Sequence, residues 1–140
     1  MADYSILIVD DNESDRYLLR RHLEQTHLDI KVFEAEDGAE ACRFFENYDA
    51  NRAAYPDNFP PLVVFLDINM PIMDGWEFLE SFSVLRALYD IQSSLVVMFT
   101  SSNRELDREQ ASQFSFVEDF VVKGEYTSEN LASLLTRLKN

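Results

Sequence analysis

Five short β-rich runs alternate with helical patterns, and that alternation restricts the fold more than any other feature of the chain. The runs occupy residues 5–9, 30–35, 62–66, 95–99 and 116–122. The first, third and fourth are almost wholly apolar, as central strands buried on both faces of a parallel sheet would be. Between them lie helical spacings. Residues 14–26 set Tyr17, Leu18, Leu19 and Leu23 on an apolar stripe opposite Arg16, Arg20, Arg21 and Glu24. Residues 38–48 repeat Ala41, Phe44, Phe45 and Tyr48 at three- and four-residue steps, and Trp76, Leu79, Phe82, Leu85 and Leu88 follow Gly75. Ser102 with Glu105 reads as a capping box opening a helix to about Gln113. Ser128 opens the last helix, with Leu131, Leu134, Leu135 and Leu138 facing inward. Strand–helix repeated five times predicts an α/β fold: a doubly wound five-stranded parallel sheet in the order 2-1-3-4-5, the flavodoxin-like (βα)5 winding. Residues 48–61, with Pro56, Pro60 and Pro61, form a connection longer than the usual one of about 2–6 residues. A tolerated surface insertion is the reading adopted for it.

Composition removes several function classes. The chain of 140 residues carries a net charge of −14, which repels phosphate backbones and anionic lipid, so neither nucleic acid nor membrane is an expected partner. The three glycines, Gly38, Gly75 and Gly124, lie too far apart for a Gly-rich nucleotide loop. Cys42 is the single cysteine and His22 and His27 are the only histidines, so thiolate zinc clusters and three-His sites are excluded. Oxygen ligands remain, favouring magnesium or manganese. Residues 1–4 lack a positive leader, and the longest apolar stretches are five residues, so a cytoplasmic location is expected.

A sheet of this winding binds ligands beyond the carboxyl ends of its strands. The residues just past those ends are Asp10 and Asp11, Asp67, Thr100 and Lys123. Three carboxylates roughly 5 Å apart repel by about 3 kcal/mol per pair at an effective dielectric near 20, which calls for a divalent cation. Lys123, one of three lysines, follows an apolar run and calls for an anion. Each feature also has a plain structural reading: the acidic pair as N-caps, Asp67 as a turn residue, Thr100-Ser101-Ser102 as a cap cluster, Lys123 as a solvated strand end. Those readings are mutually independent, whereas a site needs all of them on four particular strands. Their joint occurrence favours a site.

These stretches, with Asp67-Ile68-Asn69-Met70-Pro71-Ile72-Met73-Asp74-Gly75 and Phe120-Val121-Val122-Lys123, resemble a response-regulator receiver domain, the phosphorylation module of two-component signalling. The resemblance covers essentially the whole chain. It implies that Asp67 is the phosphoacceptor and that Asp10, Asp11, Asp67 and the backbone carbonyl of Asn69 hold Mg²⁺, with Mn²⁺ as a substitute. It implies that Lys123 and the Thr100 hydroxyl meet phosphoryl oxygens, and that Phe120 turns inward when Thr100 moves. Asn69 and Ser102 would tune the phosphoryl lifetime. The implied donor is a histidine kinase or histidine phosphotransfer protein docking over the first helix, where Arg16, Arg20 and Arg21 lie. The implied output surface carries Phe114, Phe116 and Phe120 and serves an unidentified downstream protein, with phosphorylation-dependent homodimerisation as an accompanying expectation.

One departure is local. The family usually has proline after the lysine, commonly across a cis bond, and Gly124 stands there instead. A cis bond without proline costs about 3–4 kcal/mol, so either the loop bears that cost or it runs trans. The expected domain organisation is a single receiver spanning 1–140 without an output domain, acting as a signalling module and not as a turnover enzyme. Two other readings stay open. A haloacid-dehalogenase-type phosphohydrolase needs a second acid where Asn69 stands. A flavodoxin-like electron carrier needs a phosphate loop where Asp10-Asp11-Asn12-Glu13 stands.

Overall fold

Alternate residues of β1 (Tyr4–Val9) face opposite ways, and both sets are buried, so this strand lies inside the molecule with apolar layers on each side. The computed structural model describes residues 2–140. After β1 come α1 (Glu13–Glu24), β2 (Ile30–Ala35), α2 (Gly38–Glu46), α3 (Tyr48–Ala54), β3 (Val63–Leu66) and α4 (Gly75–Leu88). The chain continues through β4 (Leu95–Thr100), α5 (Glu105–Ala111), β5 (Val117–Val122) and α6 (Ser128–Lys139). All strand pairs are parallel, in the order β2-β1-β3-β4-β5, as the winding argument predicts. No helix among the described residues is long and apolar enough to cross a membrane.

The period of two sorts the core into two layers. Leu7, Val9, Val64, Leu66, Val96 and Met98 pack against Phe45 of α2 and Phe78, Leu79 and Phe82 of α4. Ile6, Ile8, Val63, Phe65 and Val97 face the other way, toward Leu19 and Leu23 of α1 and Leu131, Leu134 and Leu135 of α6. Shielding both faces leaves the strand ends as the place where loops gather.

Four expectations need correction. Residues 48–61 are not a plain surface insertion: they contain α3 and are anchored by Phe59, fully buried against Phe44, Phe45 and Tyr48. Burying one aromatic ring stabilises by about 1.5–3 kcal/mol, enough to pin a short segment. On α1, the stripe is rotated: Arg16, Leu19 and Leu23 are buried, whereas Tyr17 and Leu18 are exposed. The Arg16 guanidinium tolerates burial because it donates to the Asp10 carbonyl at 2.6 Å and to Glu34 at 3.0 Å. Ser102 does not cap α5. That helix starts at Glu105 and ends at Ala111 with Arg104 at its N-cap, and the Ser102 hydroxyl donates to Asp107 instead. Leu88, expected on the inner stripe of α4, is exposed.

The last helix starts at Ser128 as expected, but the cap is Thr127. Its hydroxyl accepts from the Asn130 N–H at 3.1 Å, and the Asn130 side chain accepts from the Thr127 N–H at 3.1 Å. Thr127→Ala is expected to lower stability by about 1 kcal/mol in urea unfolding. Ser128→Ala, which leaves that reciprocal cap intact, should cost less than half as much.

Candidate functional site at the carboxyl edge of the sheet

Four of the five strands, β1, β3, β4 and β5, deliver residues at their carboxyl ends to one edge. Asp10 and Asp11 lie between β1 and Asn12, the N-cap of α1, while Asp67 directly follows β3. Thr100 ends β4, and Lys123 directly follows β5. Asp10, Asp67 and Thr100 are buried and Asp11 is exposed. One carboxylate oxygen from each of Asp10, Asp11 and Asp67 falls within a group whose members lie within 4.8 Å of one another. Like charges held that closely raise one another's energy, and hard oxygen donors in this arrangement fit Mg²⁺ or Mn²⁺.

Lys123 reaches back into the same group. Its Nζ stands 2.7 Å from Asp10 Oδ2, 2.9 Å from Asp67 Oδ2 and 2.8 Å from Asp15 Oδ2. Asp15 was not among the sequence candidates. It sits in the first turn of α1 and reads there as an ordinary dipole-favouring acid, so only the approach of α1 to the β5–α6 loop reveals it. Burial raises the pKa of the Asp10 carboxyl, and the Asp67 charge adds to the rise, while hydrogen bonds from Lys123 and the Asn12 N–H oppose it. For Lys123, burial alone would lower the ammonium's pKa. Its hydrogen bonds to Asp10, Asp15 and Asp67 outweigh that and hold it above the usual lysine value.

Backbone geometry positions the central aspartate. Asp67 Oδ1 accepts the Ile68 N–H at 2.8 Å, and the Gly75 N–H donates to the Ile68 carbonyl at 2.8 Å. A Cβ on Gly75 would lie 2.4 Å from the Asp67 carbonyl oxygen, so only glycine lets the start of α4 close against this turn. Asp74 and Glu77 form a capping box that fixes where α4 begins. The Lys123–Gly124 bond is trans, since among the described residues the one cis bond is Phe59–Pro60. Gly124 adopts φ of +82°, the left-handed region open to glycine, and so turns the chain by another route.

The remaining candidates surround this centre. Thr100 Oγ1 accepts the Ser102 N–H at 3.3 Å, and the Thr100 carbonyl accepts the Lys123 N–H at 2.8 Å. Asn69 and Ser102, together with Trp76 and Arg104, line a cleft of about 320 Å³. Phe120 is half-buried, with the Arg108 guanidinium carbon 4.6 Å from its ring centroid. Phe116 turns inward onto Phe82, with ring centroids 5.5 Å apart, and so does not belong to an exposed aromatic surface. Buried Arg16 is likewise unavailable to a docking partner. Arg20 is paired with Glu34 at 2.6 Å, and exposed Arg21 donates to the Tyr17 hydroxyl at 3.0 Å.

Comparison with known proteins agrees with the resemblance. The response regulator receiver domain family matches residues 6–136. The chain is 29% identical over 136 residues to the sensor histidine kinase CheAY of Helicobacter pylori, covering 97% of this chain and 15% of that kinase. It spans less than two thirds of the length of the first curated relatives it matches, reaching 65% for the response regulator Rcp1 of Synechocystis. Among solved structures, a two-component response regulator from Cytophaga hutchinsonii superposes with a TM-score of 0.77 at 24% identity, covering 97% of this chain and 96% of that one. The Mn(2+)-bound form of Rcp1 superposes with a TM-score of 0.69 at 24% identity, covering 97% and 91%. With its sheet order, acidic edge and matched residues, the chain belongs to the response regulator receiver domain family of two-component signalling.

Proposed function

We propose that this receiver takes a phosphoryl group onto Asp67 from a phosphohistidine of a histidine kinase or histidine phosphotransfer protein, and that the modified domain signals through a downstream protein. The single observation that carries this reading is the meeting of Asp10, Asp11, Asp67 and Lys123 at one strand edge. A carboxylate oxygen of Asp67 attacks phosphorus. The O–P bond forms as the P–N bond of the donor breaks, and its electron pair leaves on the imidazole. Asp10, Asp11, Asp67 and the Asn69 carbonyl would hold a divalent cation, which neutralises charge on the transferred oxygens when bound. The existence of a manganese-bound Rcp1 supports a cation of this class here.

Lys123, directly after β5, supplies a second positive charge 2.9 Å from Asp67 Oδ2. The Thr100 hydroxyl meets another phosphoryl oxygen after giving up the Ser102 N–H. Its displacement makes room for Phe120, which must then leave Arg108, so the added charge biases an aromatic with two positions. Asn69 and Ser102 border the route of a hydrolytic water and tune the lifetime of the acyl phosphate. Asn69 also stands where a phosphohydrolase of the rival type needs an acid, which favours storage of the group over turnover.

Incubation with acetyl phosphate and Mg²⁺ is expected to add one phosphoryl group, mapped by peptide mass to Asp67 and released by hydroxylamine. Chelation by EDTA should reduce uptake at least about 100-fold, the scale of losing one preorganised electrostatic contact. Uptake that ignores EDTA, or that maps to another residue, would refute the assignment.

A further inference from the structure

We propose that Asp15 is a positioning residue that competes with the phosphoryl group for the Lys123 ammonium and thereby holds down the loading of Asp67. This rests on Asp67 being the acceptor. An ammonium has three N–H donors. Lys123 spends them on Asp10, Asp15 and Asp67, at 2.7, 2.8 and 2.9 Å, so no donor is left for an incoming oxygen.

The three partners are not equivalent. Asp10 and Asp67 belong to the group that fits a divalent cation, together with Asp11. A cation shared among those three would compete with Lys123 for their charge. Asp15 stands outside that group, on α1, where the Asn12 side chain accepts its N–H at 2.9 Å and fixes the turn. It therefore keeps its full charge for Lys123 when the others are engaged. It is also the most exposed of the three partners, and it borders a cavity of about 500 Å³ with Leu18, His22 and Tyr126. Its carboxylate has room to swing away once a phosphoryl oxygen displaces it. Loading thus includes the rupture of one ion pair that the transfer chemistry does not need.

Wild type, Asp15→Asn and Asp15→Glu are titrated with beryllofluoride in Mg²⁺ buffer, and bound fluoride is read by ¹⁹F NMR. Asn keeps the shape and an acceptor oxygen but removes the charge. Half-saturation is expected to fall about tenfold in Asp15→Asn, and the gain should shrink toward unity as salt rises to about 0.5 M. Asp15→Glu should load like wild type. A role in folding alone would weaken loading on substitution, the opposite sign. If wild type loads on Asp67 and Asp15→Asn loads no more tightly, the competition is refuted and the acceptor assignment stands. If wild type does not load, the acceptor assignment fails and the competition falls with it.

Discussion

Asp67→Asn is expected to abolish phosphoryl uptake while leaving the fold in place. The amide has the size of the carboxylate, and its oxygen can still accept the Ile68 N–H, the 2.8 Å bond that orients this side chain. What disappears is the proposed nucleophile: an amide oxygen does not form a stable acyl phosphate. Lys123 retains Asp10 and Asp15, so its ammonium stays paired. Replacement also lowers the crowding of negative charge against Asp10, one of the influences raising the pKa of that carboxyl. Intact mass after acetyl phosphate and Mg²⁺ should therefore show an unmodified variant beside a phosphorylated wild type, with melting temperatures within a few degrees. A variant that still takes up a stoichiometric phosphoryl group would place the acceptor elsewhere. A variant that is unfolded at room temperature would show that Asp67 serves the fold first.

Gly75→Ala should do the reverse and damage the fold and the site together. The added methyl carbon would stand 2.4 Å from the Asp67 carbonyl oxygen and 2.9 Å from Ile68 Cα. Both are backbone atoms next to β3, buried on each face, and they cannot step aside as a flexible side chain would. Overpacking of this kind costs about 1–3 kcal/mol, and a clash with backbone belongs at the upper end. Relief requires the start of α4 to lift from the turn. That stretches the 2.8 Å bond from the Gly75 N–H to the Ile68 carbonyl and shifts Asp67 relative to Lys123. Urea unfolding should give a loss of about 3 kcal/mol, and half-saturation with beryllofluoride should rise at least about tenfold. Unchanged stability would show that the turn has slack that the structure does not display.

The two variants separate what a single loss-of-function result would merge. Asp67→Asn removes chemistry from an intact scaffold, and Gly75→Ala distorts the scaffold around intact chemistry. Their difference in unfolding midpoint, measured under one condition, is the decisive comparison.

The strands were legible because a parallel strand buried on both faces must be apolar throughout, as residues 63–66 and 95–99 are. The edge position of the main candidate residues was legible for a related reason: a polar residue directly after such a run marks the sheet edge. Arg16 was misplaced because its burial depends on Glu34 and the Asp10 carbonyl, groups on other elements that no local periodicity reports. The helix in residues 48–54 was missed because its seven residues contain no buried side chain and thus no apolar stripe to read. Ser102 and Glu105 have the spacing of a capping box, but α5 begins later and Ser102 turns to Asp107.

Local patterning alone thus determined the number of strands, their central or edge character and the identity of the residues at their ends, because each follows from burial repeating at a fixed period. Tertiary structure alone added Asp15 to the charges that meet there. Lys123 and Asp15 lie 108 positions apart and belong to elements that touch only because α1 and α6 cover the same face of the sheet. Periodicity carries no information about such a pairing, since side-chain charges interact through space and the path between them is set by the completed fold.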